Sequence, residues 1–304
     1  MSYKTSDLSF YIDPRIPRIL LLGTLSGFPA LLIGAVLTLW LREYEISRTV
    51  VGFIGFVSIV YTFNWIAAPF IDRAQIPVLT KLVGHRKSWI LLMQILILSS
   101  LFTWSFLSPE NNLFWIGLIA LLIAISSALQ DITIDALRIE QYEINESKGI
   151  AAGAATAVVG WMVGFKLGKM LLLSITAWLE ANGYQNFWNL SFQIVCLIII
   201  LLNLFLLLIP EKVQLDKFDK QDEDQLALLG KETSTLDKVS KWFASTIANP
   251  LISYFKKNGF QIGLLILSFL FLFKLGEAFL GKMSSVFYDD IGYSKYEIAI
   301  FSGL

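Results

Sequence analysis

Charge is scarce in this 304-residue chain: only 16% of residues are Asp, Glu, Lys or Arg, against 56% hydrophobic. A soluble domain carries about 25% charged and roughly 45–50% apolar residues, so this chain lacks the polar surface needed to cover itself in water. Net charge is absent too, with 24 basic and 24 acidic residues and no long basic run, which argues against a nucleic-acid partner. The single cysteine, Cys196, excludes an internal disulfide framework. The single histidine, His85, leaves no His/Cys cluster for a metal or haem, so no metal site and no cofactor is expected.

What the chain has is long uncharged stretches. Residues 19–41, 49–71, 89–108, 111–130 and 188–209 carry no charge, and each is about as long as the roughly 20-residue helix that crosses a bilayer. Two further apolar segments are interrupted by charge, 149–173 by Lys166 and Lys169, and 259–281 by Lys274 and Glu277. Seven spans follow, and the apolar stretch from Ser294 to the end reads as the opening of an eighth, in a chain cut short. The polar lead Tyr3–Asp7 has no small-residue cleavage site after it, so the first span reads as a retained helix.

Lys and Arg set the orientation. With the N-terminus in the cytoplasm, seventeen fall in inner segments and four in outer ones; without the long central loop the ratio is still nine to four. The chain thus divides into a six-span bundle over 1–210, a polar inner linker over 211–258, and the start of a second bundle over 259–304. Within the linker, 216–224 is a solvated charge run, while Leu236, Val239, Phe243 and Ile247 recur at helical spacing beside Lys238, Lys241 and Trp242. That pattern predicts a helix lying on the inner membrane face. The expected fold is all-α, a polytopic bundle with six N-terminal transmembrane helices plus the start of a second set, the layout of major facilitator transporters.

Charge at bilayer depth costs about 2.5–3.5 kcal/mol per residue on insertion scales, so each instance needs a partner or a task. Asp131, Asp135 and Arg138 fall at i, i+4 and i+7 on one helical face. Asp135 and Arg138 are spaced to pair, leaving Asp131 deeper, where it is a candidate to bind and release a proton; the alternative is a plain helix end in the headgroup region. Lys166 sits beside Gly160, Gly164 and Gly168, a small-residue stripe that lets helices approach closely, and is expected to face the bundle interior. Lys169, one turn on, has snorkelling to the surface as its alternative. Lys274 and Glu277 form a second i,i+3 pair, structural or functional. Trp65, Trp161 and Phe165 offer flat faces to a sugar or simply pack.

Several of these segments resemble the AmpG muropeptide permeases, a branch of the major facilitators. The matching segments are 23–29 (GTLSGFP), 68–73 (APFIDR) with 84–89 (GHRKSW), 127–138 (SALQDITIDALR), 164–168 (GFKLG) and 273–279 (FKLGEAF), in order along the chain. Asn64 departs from the family, which often has a lysine there; so do Lys169, where an uncharged residue is usual, and Glu277, where an aspartate is commoner. The resemblance implies import of anhydro-muropeptides across the bacterial inner membrane, driven by protons, by a protein that is monomeric when full length. Acetyl-coenzyme A or another anionic solute is the alternative cargo. It assigns proton coupling to Asp131 and Asp135, and substrate binding to Gln130, Trp161, Lys166, Lys274 and Glu277. Gating falls to Asp72, Arg73, Arg86 and Arg138. The partners are then an anionic glycopeptide, protons and the lipid bilayer, and the protein is not an enzyme. An intramembrane phosphotransferase would want a glycine after the second acid and more aspartates on the next helix; Ala136 and residues 149–173 supply neither. A non-transporting scaffold or sensor is the third class.

Overall fold

In a computed structural model, residues 9–64, 67–143, 145–211 and 249–298 are described. The linker's charge run and its expected surface helix lie outside them. The described residues form helices joined by short turns. They are α1 (Arg15–Glu43), α2 (Arg48–Gly55), α3 (Ala68–Arg73), α4 (Leu79–Val83), α5 (His85–Trp104), α6 (Pro109–Ile139), α7 (Ser147–Ala181), α8 (Phe187–Leu207), α9 (Asn249–Asn258) and α10 (Phe260–Asp290). Five of them, α1, α5, α6, α7 and α8, are long and apolar enough to cross a membrane. The chain is all-α and multi-pass.

The second expected span is the exception. Its uncharged run is broken into α2, a tight 3-10 stretch over Phe56–Thr62, and the short α3. Pro69 stands in the first turn of α3, where its missing N–H costs nothing, but it cannot continue a helix arriving from before it. Uniform hydropathy concealed this break.

Helices α1 and α7 meet at backbone contact. Gly23 and Gly27 on α1 face Gly160 and Gly164 on α7, so two small-residue stripes with the same four-residue spacing interlock. A Cβ on Gly23 would come within 3.0 Å of the Gly160 Cα, and one on Gly27 or Gly164 would run into a backbone carbonyl of the other helix, that of Trp161 or Thr24. Around this pair, α6 and α8 pack on α1, and α5 packs on α6 and α8. At the end farthest from the N-terminus, Trp40, Trp104, Trp188 and Phe192 fill the core with tilted and edge-on rings, the Trp40–Phe192 centroids 4.9 Å apart. Helix α10 lies against the far half of α1.

Candidate functional site

A belt of hydrogen-bonded polar side chains crosses the bundle at one level, and it begins with a proline. Pro29 sits inside α1 and has no N–H, so the Leu25 carbonyl loses the donor four residues on. Gln130 Nε2 on α6 supplies the bond instead, at 2.9 Å. Gln130 Oε1 accepts from Gln94 Nε2 on α5 at 2.7 Å, and Gln94 Oε1 accepts from Asn203 Nδ2 on α8 at 3.0 Å. Gln94 and Gln130 are buried, so each bond here replaces one that water would otherwise make.

Asp131, the next residue on α6, turns toward α1. Its Oδ1 accepts a 2.6 Å hydrogen bond from the Ser26 hydroxyl, one residue beyond the Leu25 carbonyl that Gln130 holds. Tyr61, from the 3-10 stretch after α2, donates its hydroxyl to Ser127 Oγ on α6 at 2.7 Å. Three residues of α6, Ser127, Gln130 and Asp131, thereby engage three other elements within little more than a turn. Asp131 is half-buried, whereas Asp135 is exposed and pairs with Arg138 at 2.9 Å, as the spacing of the two predicts.

The end nearest the N-terminus carries a second constellation. Arg86, at the start of α5, reaches Asp72 on α3 at 2.5 Å and Glu140 after α6 at 3.2 Å. Gly84 precedes it with φ of +103°, a conformation glycine takes without strain. Glu211, just past α8, accepts the backbone N–H groups of Arg86 and Lys87 at 2.7 and 2.9 Å, capping α5 from a distant part of the chain. Burial pushes the Glu211 carboxyl above its ordinary value, against those two bonds.

Arg15 pairs with Asp13 at 2.6 Å and with Glu146 at 2.7 Å, and its guanidinium lies 4.2 Å from the centroid of the Tyr142 ring. The hydrogen bond from Arg15 holds the Glu146 carboxyl at about 2, below its ordinary 4.5. A depressed carboxylate stabilises the fold above its unfolded value and loses that contribution as pH falls through its folded value. The thermal midpoint should therefore fall as pH drops from about 4.5 toward about 2, and Arg15→Gln should flatten that fall. Equal pH slopes for the two proteins would refute the assignment.

Residues 19–304 match the sequence profile described as Major Facilitator Superfamily. The chain belongs to this superfamily. It is 32% identical over 292 residues to a Rickettsia conorii protein named AmpG 4, covering 96% of this chain and 64% of that one. It is 29% identical to the protein named AmpG 1 of Rickettsia prowazekii, covering 94% and 66% of the two chains. To the anhydromuropeptide permease of Escherichia coli it is 28% identical over 297 residues, covering 96% of this chain and 52% of the other. The chain thus spans about half to two thirds of the length of these relatives.

Within this superfamily chain the charged residues expected from sequence fall in separate places. Asp72 and Arg86 come together; Arg138 pairs with Asp135. The side chains of Arg73, Lys274 and Glu277, and all of Trp65, lie outside the described parts. Lys166 sits in a widened π turn of α7, Val163–Leu167, and is half-buried, while Lys169 is only 4% exposed. Burial therefore runs opposite to the order expected, with the lysine nearer the helix end deeper in the bundle. Trp161 and Phe165 stack with rings 7° from parallel and centroids 5.1 Å apart. Ser26, Gln94, Asn203, Tyr61, Glu140 and Glu211 were not singled out as site residues. Gln94 and Asn203 had a visible signal, lone amides in otherwise apolar runs; the others depend on which helices meet.

Proposed function

We propose that this protein acts in proton-coupled import of anhydro-muropeptides across a bacterial inner membrane, with its N-terminus in the cytoplasm. The observation that carries the reading is Asp131. An ionisable group held at bilayer depth by a hydroxyl of another helix is costly to keep and suited to a proton relay. The names of the relatives from Rickettsia and Escherichia coli support the cargo. In this reading residues 1–210 form one bundle, 211–258 link it to a second beginning at 259, and the substrate passes between the two.

Individual roles follow on the same terms. Asp131 takes and releases the proton, with Asp135 as the more exposed second acid. Gln130, its amide committed to Gln94 and Leu25, keeps Asp131 in register, and so shapes the substrate path from behind. Lys166 and Lys274 would compensate substrate carboxylates with Glu277 as partner, while the Trp161–Phe165 stack offers a flat face to a sugar ring. In this reading Asp72, Arg73 and Arg86 would latch the near end, with Arg138 as a further gating residue; Arg86 pairs with Asp72, and Arg138 with Asp135. The protein would work as a monomer.

The test is uptake of labelled anhydro-muropeptide into vesicles carrying the protein. Accumulation should follow an imposed pH gradient, collapse with a protonophore, and be competed by unlabelled muropeptide and not by a coenzyme A ester. Uptake indifferent to the protonophore would remove proton coupling. Competition by the coenzyme A ester alone would reassign the cargo to acetyl-coenzyme A or a similar anion.

A further inference from the structure

A serine or threonine hydroxyl inside a helix often turns back to the carbonyl four residues before it. Thr24 on α1 does so toward Leu20 at 2.9 Å, and Thr133 on α6 toward Leu129 at 2.8 Å. Ser26 and Asp131 stand two residues from these two threonines, and their bond breaks the pattern. The buried Ser26 leaves its own helix and donates across to Asp131 Oδ1 at 2.6 Å. A hydroxyl has a single proton to give, and here it goes to the carboxyl. The separation lies in the range of about 2.5–2.7 Å that a hydroxyl takes up against an ionised carboxylate.

The elements packed around Asp131 bring other titratable groups, each engaged elsewhere or set farther along its helix. From the 3-10 stretch comes Tyr61, close enough to feel the Asp131 charge, with its hydroxyl on Ser127. On α6 itself Asp135, one turn on, pairs with Arg138. Helices α3 and α5 contribute Asp72, Arg86 and Lys87 at the near end, where Arg86 joins Asp72 and Glu140. Helix α7 brings Lys166 and Lys169, two and five residues past Gly164, the glycine that touches Thr24. Among the described residues no Lys or Arg pairs with Asp131, and its charge is met by a hydroxyl. Helices α1 and α6 do not need this bond to stay in register, because Gln130 holds the Leu25 carbonyl beside it.

We propose that Ser26 is a positioning residue for Asp131, whose hydroxyl holds the ionised carboxylate against α1 and sets the pH at which Asp131 changes charge. A hydrogen bond to the charged form favours that form, and one to a carboxylate is about twice as strong as one to a neutral acceptor. When Asp131 takes a proton the hold of Ser26 weakens, and its hydroxyl turns back to the Leu22 carbonyl, as Thr24 and Thr133 do to theirs. The Gln130 bond is untouched by this change, so the acid side chain is released while the two helices keep their register. That Asp131 carries the transported proton rests on the transport reading; that Ser26 tunes its protonation does not.

The test is infrared difference spectroscopy of the protein reconstituted in vesicles while the pH is stepped. The carbonyl band of protonated Asp131 is the one that disappears in Asp131→Asn. In Ser26→Ala the midpoint at which this band appears should move up by about one pH unit, because the ionised form has lost its bond. Ser26→Thr, which keeps a hydroxyl, should stay near the parent. Thr24→Val removes a hydroxyl committed to its own helix and should leave the midpoint where it is. The pH dependence of muropeptide accumulation should move with the band. Equal midpoints for Ser26→Ala and the parent would overturn the assignment. So would an equal shift in Thr24→Val, which marks general loosening of α1. If the band moves as expected while no form accumulates muropeptide, the transport reading falls and the role of Ser26 stands. If the parent accumulates muropeptide and the midpoints are equal, the reverse holds.

Discussion

Gly164→Ala should lower the unfolding free energy by about 3 kcal/mol, the upper part of the range for overpacking a filled site. The added Cβ would run into the Thr24 carbonyl oxygen, with the Thr24 carbonyl carbon 2.9 Å away. Neither atom belongs to a side chain that can swing aside, so relief requires the α1–α7 pair to separate along its whole seam. That seam also carries Gly23, Gly27 and Gly160, and Leu25 and Ser26, which hold Gln130 and Asp131, lie beside it. The same variant should therefore lose uptake along with thermal stability. Gly52→Ala is the control: its Cβ would meet nothing within 4 Å, and in a helix the change should be neutral or stabilise by about 0.5–1 kcal/mol. Thermal unfolding of both variants in detergent decides it. Equal midpoints for Gly164→Ala and the parent would show that the helices slide apart freely.

The second large effect is expected at Asp131. Asp131→Asn keeps the size of the side chain and an oxygen able to accept from Ser26 Oγ, yet it carries no exchangeable acid. Accumulation against a gradient should fall by more than about tenfold, while exchange of labelled for unlabelled substrate persists, because coupling is lost and the pathway is not. Asp131→Glu should retain part of the coupling. Wild-type accumulation by the asparagine variant would move the proton site elsewhere, with Asp135 the next residue to change. The two predictions separate packing from chemistry, since the glycine change breaks the scaffold that presents Asp131 and the asparagine change leaves that scaffold whole.

Much of the architecture was readable in one dimension because a bilayer imposes a length and a composition on anything that crosses it. The uncharged runs at 19–41, 89–108, 111–130 and 188–209 lie within α1, α5, α6 and α8 or run at most four residues beyond them, and 149–173 lies in α7 in spite of two lysines. The run at 49–71 was misleading for the same reason: hydropathy measures how apolar a segment is, and a broken helix can be as apolar as a continuous one. Asp131 stood out because charge at that depth is rare. The serine that bonds it did not, since Ser26 is an ordinary small residue until α6 is laid beside α1.

By itself the sequence determined that this chain lives in a membrane, roughly where most of its long helices lie, and which charges are out of place. Those properties are local or compositional, and a single chain carries them whatever its fold. The tertiary structure alone decided that the glycines of α7 meet those of α1, that Gln130 makes good the hydrogen bond Pro29 cannot donate, and that Asp290 and Lys295 pair with charges on α1, α2 and α7. Each of those pairings joins residues more than a hundred positions apart, and no periodicity within either helix specifies its distant partner.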